Sequence, residues 1–245
     1  MTGSKAAIVG FYEYKAQKSS TPLKATGLEV AADLTLRALQ DAGLALADVN
    51  GISTYGIWES DQFVPSTLTE YLGITVDFAD ALDLGGATAA SSIGRSAIAI
   101  EAGLADVVVC VIPGTYPPPS DDGLDWRYFG ASSYKAGSPQ AEFEIPYAHL
   151  GQNVPYALIA QRYASQYEYD PRVMAKLVVE QRVNACANPD AIFYGEPLTV
   201  EDVLASRMIA PPLRMLEIVR PVTGGAAVVL ASERVARRCP HRPVF

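Results

Sequence analysis

The chain has 245 residues, of which 49% are hydrophobic and 19% charged, a balance that supports a buried core and excludes intrinsic disorder as the main state. Its 19 Lys and Arg against 27 Asp and Glu give a formal charge of −8, and without a basic cluster the chain offers no footprint for a nucleic-acid backbone. On length alone we expect one large domain, or a core domain with a sizeable insertion, rather than two equal domains.

The start of the chain and its cysteines indicate where the protein works. Residues 1–5 hold no basic segment ahead of an apolar stretch, and no later apolar run reaches the ~18 residues of a membrane helix, so we expect a cytoplasmic protein that does not enter a membrane. The three cysteines are Cys110, Cys186 and Cys239. Their odd number and the lack of a CxxC pair argue against a disulfide framework and a zinc knuckle, and we predict no metal site.

The first half of the chain alternates strand and helix signals. Short apolar runs bounded by glycine predict strands, and apolar positions three or four apart predict helices. In chain order these signals predict a strand at 5–10, a helix from Thr26 to Gly43, a strand at 49–55, a helix at 65–72, an extended segment at 76–84, a helix at 87–102 and a strand at 106–112. The apolar positions of the helix before the last strand are Ala90, Ile93, Ala97 and Ile100. Gly94 in the same helix is expected to let another backbone approach closely.

The strand at 106–112 is apolar at every position but the first, which is typical of a strand covered on both faces of a layered α/β sheet. We expect it to be the central strand. The alternation around it predicts a three-layer α/β core with crossover connections, which are almost always right-handed between parallel strands.

The chain changes character at residues 113–147, where prolines, glycines, serines and aromatic residues leave little sustained periodicity. Segments of this length inside a domain are usually lids, binding loops or small subdomains. The later signals predict a helix at 152–167, a helix at 171–187 that Asp170 caps, a helix from Thr199 with Asp202 at its third position, and a buried strand at 224–230.

Gly85 and Gly86 join an extended segment to a helix, and such a junction presents backbone N–H groups and the positive end of a helix dipole at the edge of a sheet. A carbonyl oxygen or a phosphate could be held there. The alternative is that both glycines only permit a tight turn and close packing. The chain has neither GxGxxG nor GxxxxGK[ST] here, so neither a dinucleotide site nor a P-loop is indicated.

Four motifs follow one another in a characteristic order. They are Gly85-Gly86-Ala87-Thr88, the stretch at 97–107, His149-Leu150-Gly151, and Pro212-Leu213-Arg214 with Gly224-Gly225-Ala226-Ala227. This set resembles the thiolase superfamily over nearly the whole chain. The likeness is closest to the thiolase-like branch around sterol carrier protein X and bacterial lipid-transfer proteins, which includes acyl-CoA thiolases and steroid side-chain retro-aldolases.

The resemblance implies a three-layer thiolase-like core half, in which a mixed, mostly parallel sheet carries helices on both faces, with a helical loop domain inserted. It divides the chain into an N-terminal core at 1–112, a loop domain at 113–210, and a return to the core at 211–245 that holds the opening strand of a second half.

The nucleophile of the thiolases is the first departure from the family pattern. Their cysteine stands at the start of the helix that ends in I-x-x-G-x-A-D, and counting back from Gly103 reaches Gly86, which has no side chain. Thr88 is a lone threonine without a paired base, and Cys110 lies inside a predicted strand. No residue is therefore assigned as a nucleophile, and the catalytic residues stay unknown.

The second departure concerns the duplicated core. Complete thiolases have two core halves, and the second supplies a catalytic histidine, an Asn-Glu loop and a second cysteine. None of these motifs occurs before Phe245. We expect either a longer chain or another chain to complete the core, because the face left open would be a large apolar patch.

The resemblance also supplies candidates for binding a coenzyme A thioester. His149 and Leu150 match a segment that lines the coenzyme A channel, although His149 could equally make one structural hydrogen bond. Tyr147, with Tyr116, Tyr128 and Tyr134, suits a pocket for a bulky acyl chain or ring system, while packing is the ordinary role of any one tyrosine. The full candidate set is Gly85, Gly86, Ala87, Tyr147, His149, Leu150, Gly224 and Gly225.

Three functions are compatible with this pattern. Without the cysteine, retro-aldol cleavage of a β-hydroxyacyl-CoA of lipid or sterol type is favoured, because it needs no covalent acyl intermediate. A thiolase-type acyltransferase and a noncatalytic subunit that binds coenzyme A thioesters are the alternatives. The resemblance further implies a homodimer, a coenzyme A thioester as substrate with no covalently bound cofactor, and a small OB-fold, zinc-ribbon partner that would hold any zinc.

Overall fold

The chain folds into two units, and the first is built around a mixed β-sheet. The computed structural model describes residues 5–18, 25–57, 63–114, 137–147, 152–220 and 222–245. The first unit comprises the described residues of 1–16, 21–116 and 223–245, and the second those of 17–20 and 117–222. The three-part division that the sequence predicts stays a prediction.

The structure contains the following helices and strands. In chain order they are β1 (Ala6–Glu13), β2 (Gln17–Lys18), α1 (Gly27–Ala42), β3 (Gly51–Thr54), α2 (Val64–Leu72), β4 (Phe78–Ala81), α3 (Thr88–Glu101), β5 (Val107–Gly114), α4 (Pro139–Phe143), α5 (Asn153–Gln166), α6 (Pro171–Ala187), α7 (Val200–Ala205), β6 (Met208–Ala210), β7 (Leu213–Arg214), β8 (Val222–Ser232) and α8 (Glu233–Ala236).

The sheet of the first unit has the strand order β1-β8-β5-β3-β4. β3 is parallel to both β4 and β5, whereas β8 is antiparallel to β5 and to β1. Of the five strands in this order, four therefore run in one direction and β8 runs against them. The expected mixed, mostly parallel α/β sheet is confirmed, and the strand at 106–112 is central, as predicted.

The alternating residues of β5 explain why helices cover both faces. Val107, Val109 and Val111 pack in one cluster with residues of α1 and α2, while Val108 and Cys110 pack on the other face in a cluster that includes a residue of α3. A strand with apolar side chains on both faces must be covered on both. The layer on each side of the sheet follows from this one run of valines.

The caps of α1 show how closely the local sequence specifies its ends. Thr26 accepts a hydrogen bond from the Glu29 N–H at 3.2 Å, and the Glu29 carboxylate accepts one from the Thr26 N–H at 2.8 Å. Gly43 ends the helix in the left-handed conformation at φ 67°. The reciprocal bonds between Thr26 and Glu29 satisfy donors that the start of a helix otherwise leaves unpaired, and glycine is the usual residue at a left-handed helix end.

The prediction for α3 is only partly right. Its most buried residues are Thr88, Ser92, Ser96, Ala99 and Ile100. Of the four expected apolar positions, Ile100 is buried, Ile93 and Ala97 are partly buried against the same core, and Ala90 is exposed. The expectation for Gly94 is wrong, because a Cβ atom there would meet no atom within 4 Å among the described residues.

The second unit is mainly helical in its described part. Helices α5 and α6 match the predicted segments, and Asp170 caps α6 by accepting a hydrogen bond from the Arg172 N–H. β6 and β7 form an antiparallel pair. A small core is built from Ala157, Ala210 and Leu213, with Val154 and Ile218 against it.

None of the helices in the described ranges combines the length and the apolar character that crossing a membrane requires.

The start of β8 contains two neighbouring glycines with different roles. Gly225 has φ 143°, and a Cβ atom there would lie 2.9 Å from the Ile112 carbonyl oxygen and 2.8 Å from a methyl group of Leu34. At Gly224 the nearest atom would be the Tyr14 carbonyl oxygen at 3.7 Å, an ordinary contact. Close packing therefore requires glycine at position 225 but not at position 224.

We predict that Gly225→Ala lowers the free energy of unfolding by about 2–3 kcal/mol, because backbone atoms of β5 cannot move aside for the added methyl group. Gly224→Ala, the matched control, should change it by less than about 0.5 kcal/mol. Urea unfolding of both variants measures the difference. Equal losses would mean that the close contact at Gly225 does not set the cost.

Candidate functional site

The carboxyl ends of β1, β3, β4 and β5 share one edge of the sheet in the first unit, and β8 begins at that edge with Gly224 opposite Gly114. Ligands of open α/β sheets commonly bind at this kind of edge. Both predicted glycine pairs lie there. Gly85 and Gly86 follow β4, whereas Gly224 and Gly225 lie on β8. Because β3 and β5 separate these two strands, the sheet places the pairs along one edge rather than side by side.

The chain makes a tight 3₁₀ turn at Gly85–Ala87 before α3 begins. Gly85 has φ 58°, and its N–H donates to the Asp83 carboxylate at 3.1 Å. The Thr88 hydroxyl accepts from the Leu84 N–H at 2.9 Å and donates to the Gly85 carbonyl at 2.7 Å. These bonds fix the turn and hold Thr88 in a structural role, which leaves its hydroxyl unsuited to nucleophilic attack.

Gly86 lies at the exposed end of this turn. A Cβ atom at Gly86 would meet no atom within 4 Å among the described residues, and its φ lies outside the region that favours glycine. Ala87, which follows it, is also exposed. The position thus combines open space with the amino end of a 14-residue helix, where backbone N–H groups and the dipole favour negative charge.

Neither Cys110 nor Cys239 has the properties of a nucleophilic cysteine. Cys110 is buried, with its sulfur 3.2 Å from the Ser96 hydroxyl, and burial raises the pKa of its thiol to about 11. Cys239 is half-buried, and desolvation also raises the pKa of its thiol. A nucleophilic cysteine needs the opposite shift, toward the thiolate at neutral pH.

The remaining predicted residues are divided between the units. Tyr147 ends a short 3₁₀ turn in the second unit and is 84% exposed. His149 and Leu150 lie outside the described residues, as do Tyr116, Tyr128 and Tyr134. No group of three or more His, Cys, Asp or Glu side chains in the described ranges is arranged to hold a metal ion.

A polar row beneath α3 was missed by the sequence analysis. The register places Asp80, Ser53 and Cys110 side by side on β4, β3 and β5, and Arg95 of α3 forms a bidentate ion pair with Asp80 at 2.7 and 3.2 Å. The hydroxyls of Ser53 and Ser92 are buried and have no hydrogen-bond partner among the described residues. Serines four apart in α3 were the available signal for this face.

Tyr14 is a second feature that the sequence analysis missed. It follows β1, its N–H donates to the Gly225 carbonyl at 2.9 Å, and its hydroxyl donates to the Asp33 carboxylate. Burial, together with the adjacent Asp33, raises the pKa of Tyr14 to about 12. The phenol therefore stays protonated at neutral pH and can donate, but not act as a base.

Comparisons with known proteins connect this geometry to a family. The chain is 31% identical, over its full length, to the curated 17-hydroxy-3-oxo-4-pregnene-20-carboxyl-CoA lyase of Mycobacterium tuberculosis, of which it covers 62%. Among solved structures, it matches an Ltp2-ChsH2(DUF35) aldolase with a TM-score of 0.78 and 27% identity, over 99% of this chain and 59% of that one.

A monomeric SCP2-thiolase-like protein of Mycobacterium smegmatis matches with a TM-score of 0.70 and 20% identity, over 96% of this chain and 47% of that one. No family model matches the chain. The chain spans about 60% of the length of the Mycobacterium tuberculosis lyase and of the Ltp2-ChsH2(DUF35) aldolase.

The fold is that of the thiolase superfamily. The chain is similar to a branch of the superfamily that includes steroid side-chain-cleaving aldolases and SCP2-thiolase-like proteins, as its motifs predicted.

The two glycines of the turn should respond differently to an added methyl group. We expect Gly86→Ala to raise the free energy of unfolding by about 0.5 kcal/mol, because the side chain has room and the unfolded chain loses freedom. Gly85→Ala should lower it by about 1–2 kcal/mol, since φ 58° is strained for alanine. Thermal and urea unfolding of the pair measure this. A loss at Gly86 as large as that at Gly85 would contradict the open environment described here.

Cys110 should resist alkylation in the folded protein. With its pKa near 11 and its side chain buried, iodoacetamide at pH 8 should leave Cys110 unmodified while all three cysteines react after unfolding in urea. Peptide mass spectrometry reads out each site. Modification of native Cys110 at the rate of the half-buried Cys186 would show that the thiol is accessible.

Proposed function

We propose that this chain serves the retro-aldol cleavage of a β-hydroxyacyl-CoA of lipid or sterol type, without a covalent acyl-enzyme. The observation that carries the proposal is the turn before α3, where Gly86 offers backbone N–H groups in open space and no side chain that could attack a thioester. The names of the relatives, a lyase of a steroid carboxyl-CoA and an aldolase, support the same chemistry.

The reaction needs one proton removed and one negative charge held. A base takes the proton of the β-hydroxyl, the oxygen becomes a carbonyl, and the electrons of the carbon–carbon bond pass to the carbon next to the thioester. The resulting enolate is then protonated. Applied to the substrate in the lyase's name, this sequence yields a 17-ketosteroid, androst-4-ene-3,17-dione, and propionyl-CoA.

The amino end of α3 is suited to the enolate. Its N–H groups and dipole stabilise negative charge on an oxygen, and within the described residues the Gly86 N–H donates to no protein acceptor. Removal of one donor from the oxyanion hole of a protease lowers kcat by about 10²–10³-fold, which indicates the size of such an effect. We assign the thioester oxygen to this position, with Gly85, Ala87, Gly224 and Gly225 along the same edge.

The acid and the base are assigned to the rest of the complete enzyme. The described part of this edge contains no histidine, and Tyr14 is committed to Asp33 with a raised pKa. Tyr147, His149 and Leu150 are proposed to contact the pantetheine arm of the coenzyme A thioester, which is the substrate; we propose no covalently bound cofactor.

A partner subunit fits this proposal. The structurally similar aldolase is an Ltp2-ChsH2(DUF35) protein by its name, and we propose a corresponding small OB-fold, zinc-ribbon partner here, together with a homodimer of this chain in the cytoplasm.

The decisive assay uses the protein with all subunits that co-purify with it. Incubation with a β-hydroxyacyl-CoA should release a ketone and a shortened acyl-CoA in equal amounts, with no acyl adduct in the intact mass of the protein. Gly86→Asp should lower kcat by about 10²-fold, because a carboxylate then stands where negative charge develops.

Ala90→Asp is the matched control, since Ala90 is exposed one turn further along α3 and should leave kcat unchanged. An acyl adduct would favour an acyltransferase, and binding without any products would favour a noncatalytic subunit.

A further inference from the structure

The second unit contains a cavity that the proposed reaction does not use. Its volume is about 690 Å³, within the range of sites for small organic molecules. It lies among α5, α6 and the segment at 213–219, and apolar and tyrosine side chains dominate its lining. All of these residues belong to the second unit, so the cavity is a feature of that unit alone.

The cavity has a partly buried floor and an exposed apolar rim. The floor includes Leu213 and Ile218, which also belong to the small core of the unit, so it has a fixed base. On the rim, Tyr156, Ile159 and Tyr163 are each more than half exposed. Such a concentration of exposed apolar side chains around one hollow is uncommon on protein surfaces without a ligand or partner.

The spacing of the rim tyrosines suits a long, flat molecule. Tyr156 and Tyr163 stand seven residues apart on α5, about two turns and about 10 Å along the helix, on the same side of it. Two aromatic rings so placed can contact a rigid ring system along its length. A rigid ligand also gives up little conformational entropy on binding.

The charges at the cavity disfavour the anionic coenzyme A moiety. Glu168, Asp170 and Glu217 line the cavity, and no Lys, Arg or His does. Two of these carboxylates already accept backbone hydrogen bonds, Asp170 from the Arg172 N–H at 2.8 Å and Glu217 from the Arg214 N–H at 2.7 Å. Phosphate groups would be repelled here, while an uncharged ligand would not.

Polar groups at the cavity can recognise a carbonyl oxygen. The side chains of Gln152 and Asn153 bring amide donors to the lining. Tyr169 is partly buried, and its burial, with the nearby Glu217, raises the pKa of the phenol, which therefore remains a hydrogen-bond donor at neutral pH.

We propose that this cavity of the second unit binds an uncharged polycyclic ketone, the carbonyl product of the cleavage. The identity of the ligand rests on the proposed function. The cavity would take the product after the coenzyme A portion has left with the other half of the substrate, because only then is the ring system free of phosphate charge.

Binding of androst-4-ene-3,17-dione to the purified protein, with its co-purifying subunits, tests the site. Equilibrium dialysis should show saturable binding that Ile159→Glu weakens at least about tenfold, because a carboxylate on the rim must be desolvated against the ligand. Leu158→Glu is the matched control: Leu158 neighbours Ile159 on α5, is 55% exposed against 64%, and does not line the cavity. It should change binding less than about twofold. Coenzyme A should not compete.

Three outcomes would overturn the proposal: no saturable binding, equal effects of the two substitutions, or displacement of the ketone by coenzyme A. A change of sedimentation in Ile159→Glu without a change in ketone binding would instead identify the rim as a contact between protein chains.

The assay of the complete enzyme separates this inference from the proposed function. Turnover of a β-hydroxyacyl-CoA with ketone binding unaffected by Ile159→Glu would retain the reaction and reject the site. Binding that depends on Ile159 without turnover would retain the site and reject the reaction.

Discussion

The architecture of the first unit depends on the burial of β5 on both of its faces. Val107, Val109 and Val111 are covered from the side of α1, and Val108 and Cys110 from the side of α3. Fully burying a valine side chain stabilises the fold by about 1.5–3 kcal/mol, so this strand alone contributes a large share of what holds the layers together. Its carboxyl end lies at the same edge as that of its parallel neighbour β3, and Gly86 and the start of β8 lie at this edge.

Position 86 can change its side chain without rebuilding the fold. Gly86 has a backbone conformation open to any residue and free space where a side chain would project. The turn keeps its shape through Thr88 and Asp83, which do not depend on what stands at position 86. A side chain can therefore be added or removed at position 86 without disturbing the hydrogen bonds that fix the amino end of α3.

Elements specified by local chemistry could be predicted from the sequence, and those set by tertiary contacts could not. The run of valines predicts β5 as a buried strand, and the capping residues predict where α1 and α6 begin. In α3 the apolar spacing identified Ile93, Ala97 and Ile100 as residues that face the core. It did not reveal that the helix also turns Ser92 and Ser96 toward the sheet, where a polar row lies. The count to Gly86 found the turn, since helix length fixes that distance along the chain. No sequence pattern predicted the cavity of the second unit, because the residues that line it come from segments that are separate in the sequence.

Two buried hydroxyls without partners lie beneath α3. A buried hydroxyl without a partner costs about 1–3 kcal/mol, and those of Ser53 and Ser92 lie between the sheet and α3, while a third, that of Thr223, lies at the start of β8. Proteins open locally where the free energy of opening is smallest. Separating α3 from the sheet would expose Ser53 and Ser92 to water, so the turn at Gly85–Ala87 is attached to a helix whose contact with the sheet is weakened by these two groups.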